Sequence, residues 1–385
     1  MQYRQFGKLD WKVSTLGFGA MRLPTTDGDG RSPNIDEREA VRMIRHAIDS
    51  GVNYVDTAYI YHGGNSEVVV GKALADGYRD KVRVATKSPG WYIRATEDFD
   101  RILNQQLGRL RTDHIDFYLL HGLNQKSWRD IVLRYDLLQA AERALRDGRI
   151  CHLAFSFHDA HPAFVEILNG YDRWTFCQIQ YNYMDIENQA GTKGLKLAAE
   201  KGLAVVVMEP LLGGRLANPP APIRRVFEES GTKLSPVELA LQWIWDQPEV
   251  STVLSGMSNM EQLEANLAIA NVAHERSLTA ADLELVDRVR TQYRERTTIP
   301  CTKCGYCMPC PNGVDIPRNF ELFNDAHMHE DLPEARFVYR TFMPQPDRAA
   351  NCIECKNCEE LCPQQIPISE WMPKVAEALR TESPA

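Results

Sequence analysis

The chain has 385 residues, with 44 Lys and Arg against 52 Asp and Glu, a formal net charge of −8. That length suits two domains, or one large domain with an appendage, and 44% hydrophobic with 25% charged residues is a globular composition. The acidic balance argues against nucleic acid or an anionic membrane as the main partner, and no apolar run approaches the ~20 residues of a membrane span. The opening "MQYRQFGKLDWKV" has no apolar signal core. The cytoplasm is therefore the expected location, a compartment where disulfides are rare.

Up to about residue 275, short apolar runs alternate with amphipathic segments. The strand candidates are 14–21, 53–58, 82–87 and 114–121, then 151–157, 176–182, 204–210 and 251–257. Their near-continuous apolar character fits parallel strands buried on both faces. Helical patterns lie between them. "NIDEREAVRMIRHAIDSG" offers Asn34 and Asp36 as caps and ends on Gly51. "TEDFDRILNQQLGRLR", "DLLQAAERALRDGR", "TKGLKLAAEKG", "SPVELALQWIWDQP" and "NMEQLEANLAIA" follow the same logic. Eight strand–helix units in ~250 residues predict a (β/α)8 barrel. A doubly wound open sheet is the runner-up, but "GFGAMR" does not fit the phosphate-binding turn such a sheet carries. Residues 279–297 read as one more helix, and a cysteine-rich region follows from 298. The expected division is 1–297 and 298–385.

Active sites of such barrels lie at the C-terminal ends of the strands. Asp56, Lys87 and His121 fall at three successive strand ends, with Tyr61 five residues beyond Asp56. A tyrosine phenol has a pKa of ~10 and is a poor acid at neutral pH. A nearby ammonium favours phenolate and makes proton transfer feasible in both directions. A buried lysine needs an anion to stay charged, and Asp56 is the candidate. His121 would orient a substrate oxygen. Protonating a carbonyl oxygen while hydride reaches its carbon is carbonyl reduction. Trp91, Trp128, His62 and His158 follow strands and are candidates to shape the substrate pocket.

"GVNYVDTAYIYHGGNSEVVVGKAL", "VRVATKS", "HIDFYLLHG" and "RQFGKLDWKVSTLGFGAMRLP" resemble the aldo/keto reductases, over residues 1 to about 297. The resemblance implies a barrel that binds NADP or NAD without a Rossmann motif. It makes Tyr61 the general acid, Lys87 and Asp56 its tuners, and His121 the residue that positions the carbonyl. At the nicotinamide it implies Ser156 and Gln178. Phe157 stands where the family has an asparagine, and His158 is a candidate stand-in for that amide. Met208 replaces the family's stacking aromatic, followed by Pro210 and Leu211. Ser255, Gly256, Met257, Gln262 and Asn266 match the pyrophosphate and adenosine segment, where small residues let backbone amides approach phosphate. No Lys or Arg occurs from 255 to 266, so NADH stands beside the family's usual NADPH.

Ten cysteines need explaining. Cys151 and Cys177 lie in apolar strands and read as buried core thiols. The other eight form two arrays, each ending in Pro: Cys301, Cys304, Cys307 and Cys310, then Cys352, Cys355, Cys358 and Cys362. The second fits the C-x2-C-x2-C-x3-C-P run of [4Fe–4S] proteins, and the first is one residue shorter before its fourth cysteine. Two structural zinc ions are the competing reading, although zinc sites usually join two separated pairs. The expected sets are Cys301, Cys304, Cys307 with Cys362, and Cys352, Cys355, Cys358 with Cys310. The connection between arrays resembles helical two-cluster ferredoxins, and the whole chain resembles aldo/keto reductases with a C-terminal ferredoxin-like domain holding two [4Fe–4S] clusters.

The function expected is NAD(P)H-dependent reduction of an aldehyde or ketone, or oxidation of the matching alcohol. Nicotinamides move two electrons and clusters one, and no flavin fingerprint is present to connect them. The clusters are therefore expected to serve structure, redox sensing or contact with an electron-transfer protein partner. The alternative is an electron-transfer or redox-sensing protein whose barrel binds nucleotide and turns over slowly.

Overall fold

The computed structural model describes residues 1–380. A short antiparallel hairpin comes first, β1 (Tyr3–Gln5) paired with β2 (Lys12–Ser14). Eight parallel strands follow: β3 (Leu16–Gly19), β4 (Tyr54–Asp56), β5 (Arg83–Ser88), β6 (Ile115–Leu123), β7 (Ile150–Phe157), β8 (Phe176–Gln180), β9 (Ala204–Met208) and β10 (Thr252–Ser255). They pair in chain order and β10 closes onto β3, with Val253 opposite Leu16. The closed barrel excludes the open-sheet alternative.

All eight expected strands are present. Each is apolar along most of its length because one face packs inside the barrel and the other beneath helices. The hairpin was not foreseen, since three-residue strands leave too short a pattern. Phe6 in its turn is fully buried and packs against Phe117, Phe176 and Trp11 at 5.1–5.3 Å between ring centroids. These rings belong to the buried cluster that also holds Tyr54, Ala204 and Val206.

The helix α1 (Glu37–Asp49) is capped by Asp36, whose carboxylate accepts from Glu39 N at 3.1 Å, and it buries Ala40, Met43, Ile44 and Ala47. α2 (Asn65–Ala73) escaped the sequence reading because it is short and mostly buried, with polar Ser66 and Glu67 inside as well as Val69 and Val70, so it leaves no amphipathic stripe. It crosses α3 (Glu97–Leu110) so closely that a Cβ on Gly71 would lie 2.6 Å from the Arg109 carbonyl. Helices 137–146, 161–169, 191–200, 236–245 and 260–271 follow the remaining strands.

By packing, the described chain forms two compact units: Met1–Gly213 with Val237–Thr279, and Gly214–Pro236 with the chain from Ala280 onward. The second unit is helical. Ile316–His329 and Leu332–Phe342 separate the cysteine arrays, with Pro333 in the first turn of the latter, and Ile368–Leu379 ends the unit. Its core is built from Ile299, Phe320, Phe323, Met372, Val375 and Leu379, and six of the array cysteines pack against it. Among the described residues, no helix is long and apolar enough to cross a membrane.

Cys177 is buried, as expected, but Cys151 is exposed. It is the second residue of β7, between buried Ile150 and half-buried His152, and only from Leu153 onward is the strand continuously buried.

Candidate active site and cluster-binding arrays

Parallel pairing in register brings the ends of β4, β5 and β6 side by side, with Asp56 opposite Ala85 and Lys87 opposite Leu119. Asp56 is the last residue of β4, and Lys87 the last but one of β5. Lys87 Nζ donates to Asp56 Oδ1 at 2.5 Å and to the Thr57 carbonyl at 2.8 Å. It also lies 4.9 Å from the Tyr61 ring centroid. Tyr61 opens a one-turn 3-10 segment after β4. The His121 ring stands 6.0 Å from that of Tyr61, nearly perpendicular to it.

Charges follow from this packing. Burial alone would push the Lys87 ammonium pKa down, but the charges of Asp56 and Tyr61 outweigh it and hold the value above normal. Lys87 therefore stays protonated. Burial drives the His121 pKa well below that of free imidazole, with Lys87 and His158 adding to the effect. His121 is a neutral ring, and its buried Nδ1 has no hydrogen-bond partner. Burial raises the Tyr61 phenol above its usual value. The Lys87 ammonium opposes this, as the sequence reading expected, but does not reverse it. Tyr61 is thus a protonated phenol touching an ammonium, a donor poised for an oxygen that gains negative charge.

The four pocket candidates separate. The Trp91 ring lies 5.1 Å from His121 and is 41% exposed, so it faces the mouth. His158 lies near enough to influence His121 and is exposed. Trp128 is 2% exposed and packs on Trp174 at 6.3 Å, so it serves the core. His62 is 3% exposed; its Nδ1 donates to the Ser32 carbonyl and its Nε2 accepts from Leu23 N. His62 fastens the Tyr61 turn to the preceding chain and does not line the pocket.

At the nicotinamide positions, Ser156 Oγ accepts from Gly122 N at 2.7 Å. Gln178 is 2% exposed, and its Oε1 has no hydrogen-bond partner. A buried carbonyl oxygen without a donor fits the amino group of a nicotinamide carboxamide. Met208 ends β9 half-buried, followed by buried Pro210 and half-buried Leu211. Ser255 Oγ accepts from Asn266 Nδ2 at 2.9 Å, while Met257 is buried and Gly256 exposed. The Gln262 side chain accepts from Ser258 N and stays within its own turn. Sequence reasoning missed two residues here. The Arg22 side chain crosses Gly256, with its Cγ 3.0 Å from where a Cβ would stand. Glu209, at φ 56°, places its charge near enough to act on Tyr61.

None of the eight array cysteines is paired in a disulfide. Cys362 lies near enough to influence Cys301 and Cys307, and Cys310 near enough to influence Cys352, while Cys307 also influences Cys358. Cys310, Cys352, Cys355 and Cys358 line one pocket. Burial pushes Cys307 and Cys358 up to about 11, and binding a cation would require these thiols to give up their protons. Left-handed residues at Lys303, Gly305, Glu354 and Lys356 curl the loops between the cysteines. Eight thiols in two arrays, with Cys310 lining a pocket of the second array, are donor chemistry that fits iron–sulfur clusters.

An eight-stranded parallel barrel thus carries an Asp–Lys–Tyr–His group at the ends of its strands, and the chain is an oxidoreductase. Residues 15–290 match the Aldo/keto reductase family, and the chain belongs to it. Residues 300–366 match a 4Fe-4S dicluster domain. Relatives include an uncharacterized oxidoreductase, YqkF, of Bacillus subtilis, 27% identical over 74% of this chain and 95% of that protein. An NADH-specific methylglyoxal reductase of Escherichia coli is 25% identical over 73% and 95%. The holo form of an aldo-keto reductase from Bacillus halodurans has a similar structure, with a TM-score of 0.60 and 28% identity over 75% of this chain and 96% of that one.

Proposed function

We propose that this oxidoreductase reduces an aldehyde or ketone to an alcohol, or runs the reverse reaction, with NADPH or NADH. The observation that carries the proposal is the buried Lys87 ammonium, held by Asp56 and lying against the Tyr61 ring. A bound nicotinamide supplies or accepts the hydride. Tyr61 delivers the proton to the substrate oxygen, and Lys87 stabilises the phenolate left behind. Asp56 keeps Lys87 charged, and neutral His121 donates a hydrogen bond that orients the substrate oxygen. Trp91 and His158 border the substrate.

For the cofactor we assign Ser156, Gln178, Met208, Pro210 and Leu211 to the nicotinamide end. Ser255, Gly256, Met257, Gln262 and Asn266 take the phosphate and adenosine end. Gln262 supports NADH and Arg22 supports an additional phosphate, so both nucleotides are assigned. Residues 298–385 are assigned two [4Fe–4S] clusters, with Cys301, Cys304, Cys307 and Cys362 on one and Cys352, Cys355, Cys358 and Cys310 on the other. Residues 1–297 carry the reduction. The clusters serve structure, redox sensing or an electron-transfer partner. One-electron centres do not deliver hydride, which supports keeping them apart from the reaction. The protein acts in the cytoplasm on a small carbonyl or alcohol.

The test is anaerobic purification, assay of iron and sulfide, and separate measurement of NADPH and NADH oxidation with a carbonyl panel. Tyr61→Phe should abolish that oxidation. Undiminished turnover in the variant would sink the reductase reading.

A further inference from the structure

We infer that Glu67, Gln106 and Arg109 form a buried clamp that positions Tyr61 and Lys87 for proton transfer. The inference rests on the proposed roles of those two residues. None of the three clamp residues is placed at the substrate, so they are positioning residues.

Glu67 lies on α2 and is completely buried. A carboxylate there is costly unless its oxygens are engaged. Its Oε1 accepts from Thr86 Oγ1 and from Gln106 Nε2, each at 2.6 Å, and its Oε2 accepts from Arg109 NH1 at 3.0 Å. Gln106, also fully buried, donates from Nε2 to the Lys87 carbonyl at 3.1 Å. Its Oε1 accepts from the Tyr118 hydroxyl at 2.7 Å, which fixes the amide orientation. One arm of the clamp therefore ends on the backbone of Lys87.

The other arm ends on the Tyr61 turn. Arg109 NH1 donates to the Tyr59 carbonyl at 3.1 Å, and the guanidinium lies 4.3 Å from the Tyr59 ring centroid. A Cβ on Gly64 would meet the same guanidinium at 3.2 Å. Tyr59 precedes Tyr61 by two residues and Gly64 follows it by three, so Arg109 is bonded to one side of the turn and lies close against the other. Thr57 and Ser66 add a second fastening: their hydroxyls are 2.9 Å apart, and Ser66 donates to the Ala20 carbonyl at 2.8 Å. Thr57 also offers its carbonyl to Lys87 Nζ.

Stability alone would not require this construction. Apolar residues of similar volume at such positions are often as stable as a buried ion pair. What the network adds is geometry, because it links the two chain segments whose separation sets the distance between the Lys87 ammonium and the Tyr61 hydroxyl. A misplacement of ~1 Å is enough to lower a rate about 100-fold.

The test compares Arg109→Met, Arg109→Lys and Glu67→Gln with the parent and with Tyr61→Phe. Readouts are kcat, KM, nicotinamide affinity by fluorescence and thermal midpoint, with kinetics run well below every midpoint. Arg109→Met and Glu67→Gln should lose about 10- to 100-fold in kcat, with KM and nicotinamide affinity unchanged. Arg109→Lys should recover part of the loss, because an ammonium retains the pair with Glu67. Arg109 is 28% exposed at its side chain, so its variants carry the test if Glu67→Gln does not fold. An inactive Tyr61→Phe beside an Arg109→Met of parental kcat would overturn the clamp alone. An active Tyr61→Phe would overturn the proposed function and the clamp with it.

Discussion

Lys87 Nζ lies 2.5 Å from Asp56 Oδ1, with the two side chains 1% and 3% exposed. A pair so deeply buried is a weak source of stability, since desolvation offsets most of the attraction. Its consequence is a fixed positive charge beside the Tyr61 ring. Breaking the pair should therefore do two separable things.

Lys87→Met leaves the Asp56 carboxylate buried without its countercharge, with only Gln178 beside it. It should destabilise the protein by about 3–5 kcal/mol and abolish turnover. Adding Asp56→Leu should restore most of the stability and none of the turnover. Denaturant unfolding and steady-state kinetics on the single and double variants check both outcomes.

The pH profile follows from the direction of the Tyr61 shift. Burial raises its pKa, Lys87 opposes, and the charges of Asp56 and Glu209 raise it further. Reduction uses the protonated phenol, so kcat/KM for reduction should hold through neutral pH. It should fall only above the ordinary tyrosine value of ~10. Oxidation uses the phenolate and should rise with pH across the same range. Glu209→Gln removes one charge that raises the pKa, so both limbs should move to lower pH. Limbs that move upward would contradict this assignment.

The barrel was legible because strands buried on both faces leave runs such as "AVVVM", and because turn and cap residues separate them. Position along the strands also pointed to Asp56, Lys87 and His121, since strand ends carry barrel chemistry. What sequence could not supply was the direction in which each intervening side chain points. Trp91 and Trp128 both follow strands, yet one faces His121 and the other fills the space under Trp174. His62 next to Tyr61 looked like a pocket residue, whereas two backbone contacts hold it. The clamp had a signal that was overlooked. Gln106 interrupts the apolar stripe of Phe99, Ile102, Leu103 and Leu110 on α3. A polar residue at a core position of a helix asks for a buried partner, and Glu67 is that partner.

Gln178→Leu should weaken nicotinamide binding by about 3- to 10-fold, the worth of one hydrogen bond. Fluorescence titration of NADH and NADPH measures it. Equal affinity in parent and variant would remove Gln178 from the cofactor site.

The crossed ligand sets proposed for the cysteines make a prediction for the second unit. Cys362→Ser should perturb the cluster held by Cys301, Cys304 and Cys307. Cys310→Ser should perturb the one held by Cys352, Cys355 and Cys358. Iron assay and electron paramagnetic resonance on each variant would distinguish this from uncrossed ligation, in which each serine disturbs its own array.

The most direct measurement follows the hydride itself. Nicotinamide cofactor deuterated at the carbon that donates hydride is incubated anaerobically with the holoprotein and a carbonyl that it reduces. Parent protein should place deuterium on the carbinol carbon of the product, and Tyr61→Phe should form almost none. Alcohol formed without deuterium, its electrons coming from the clusters and its hydrogen from solvent, would contradict the account.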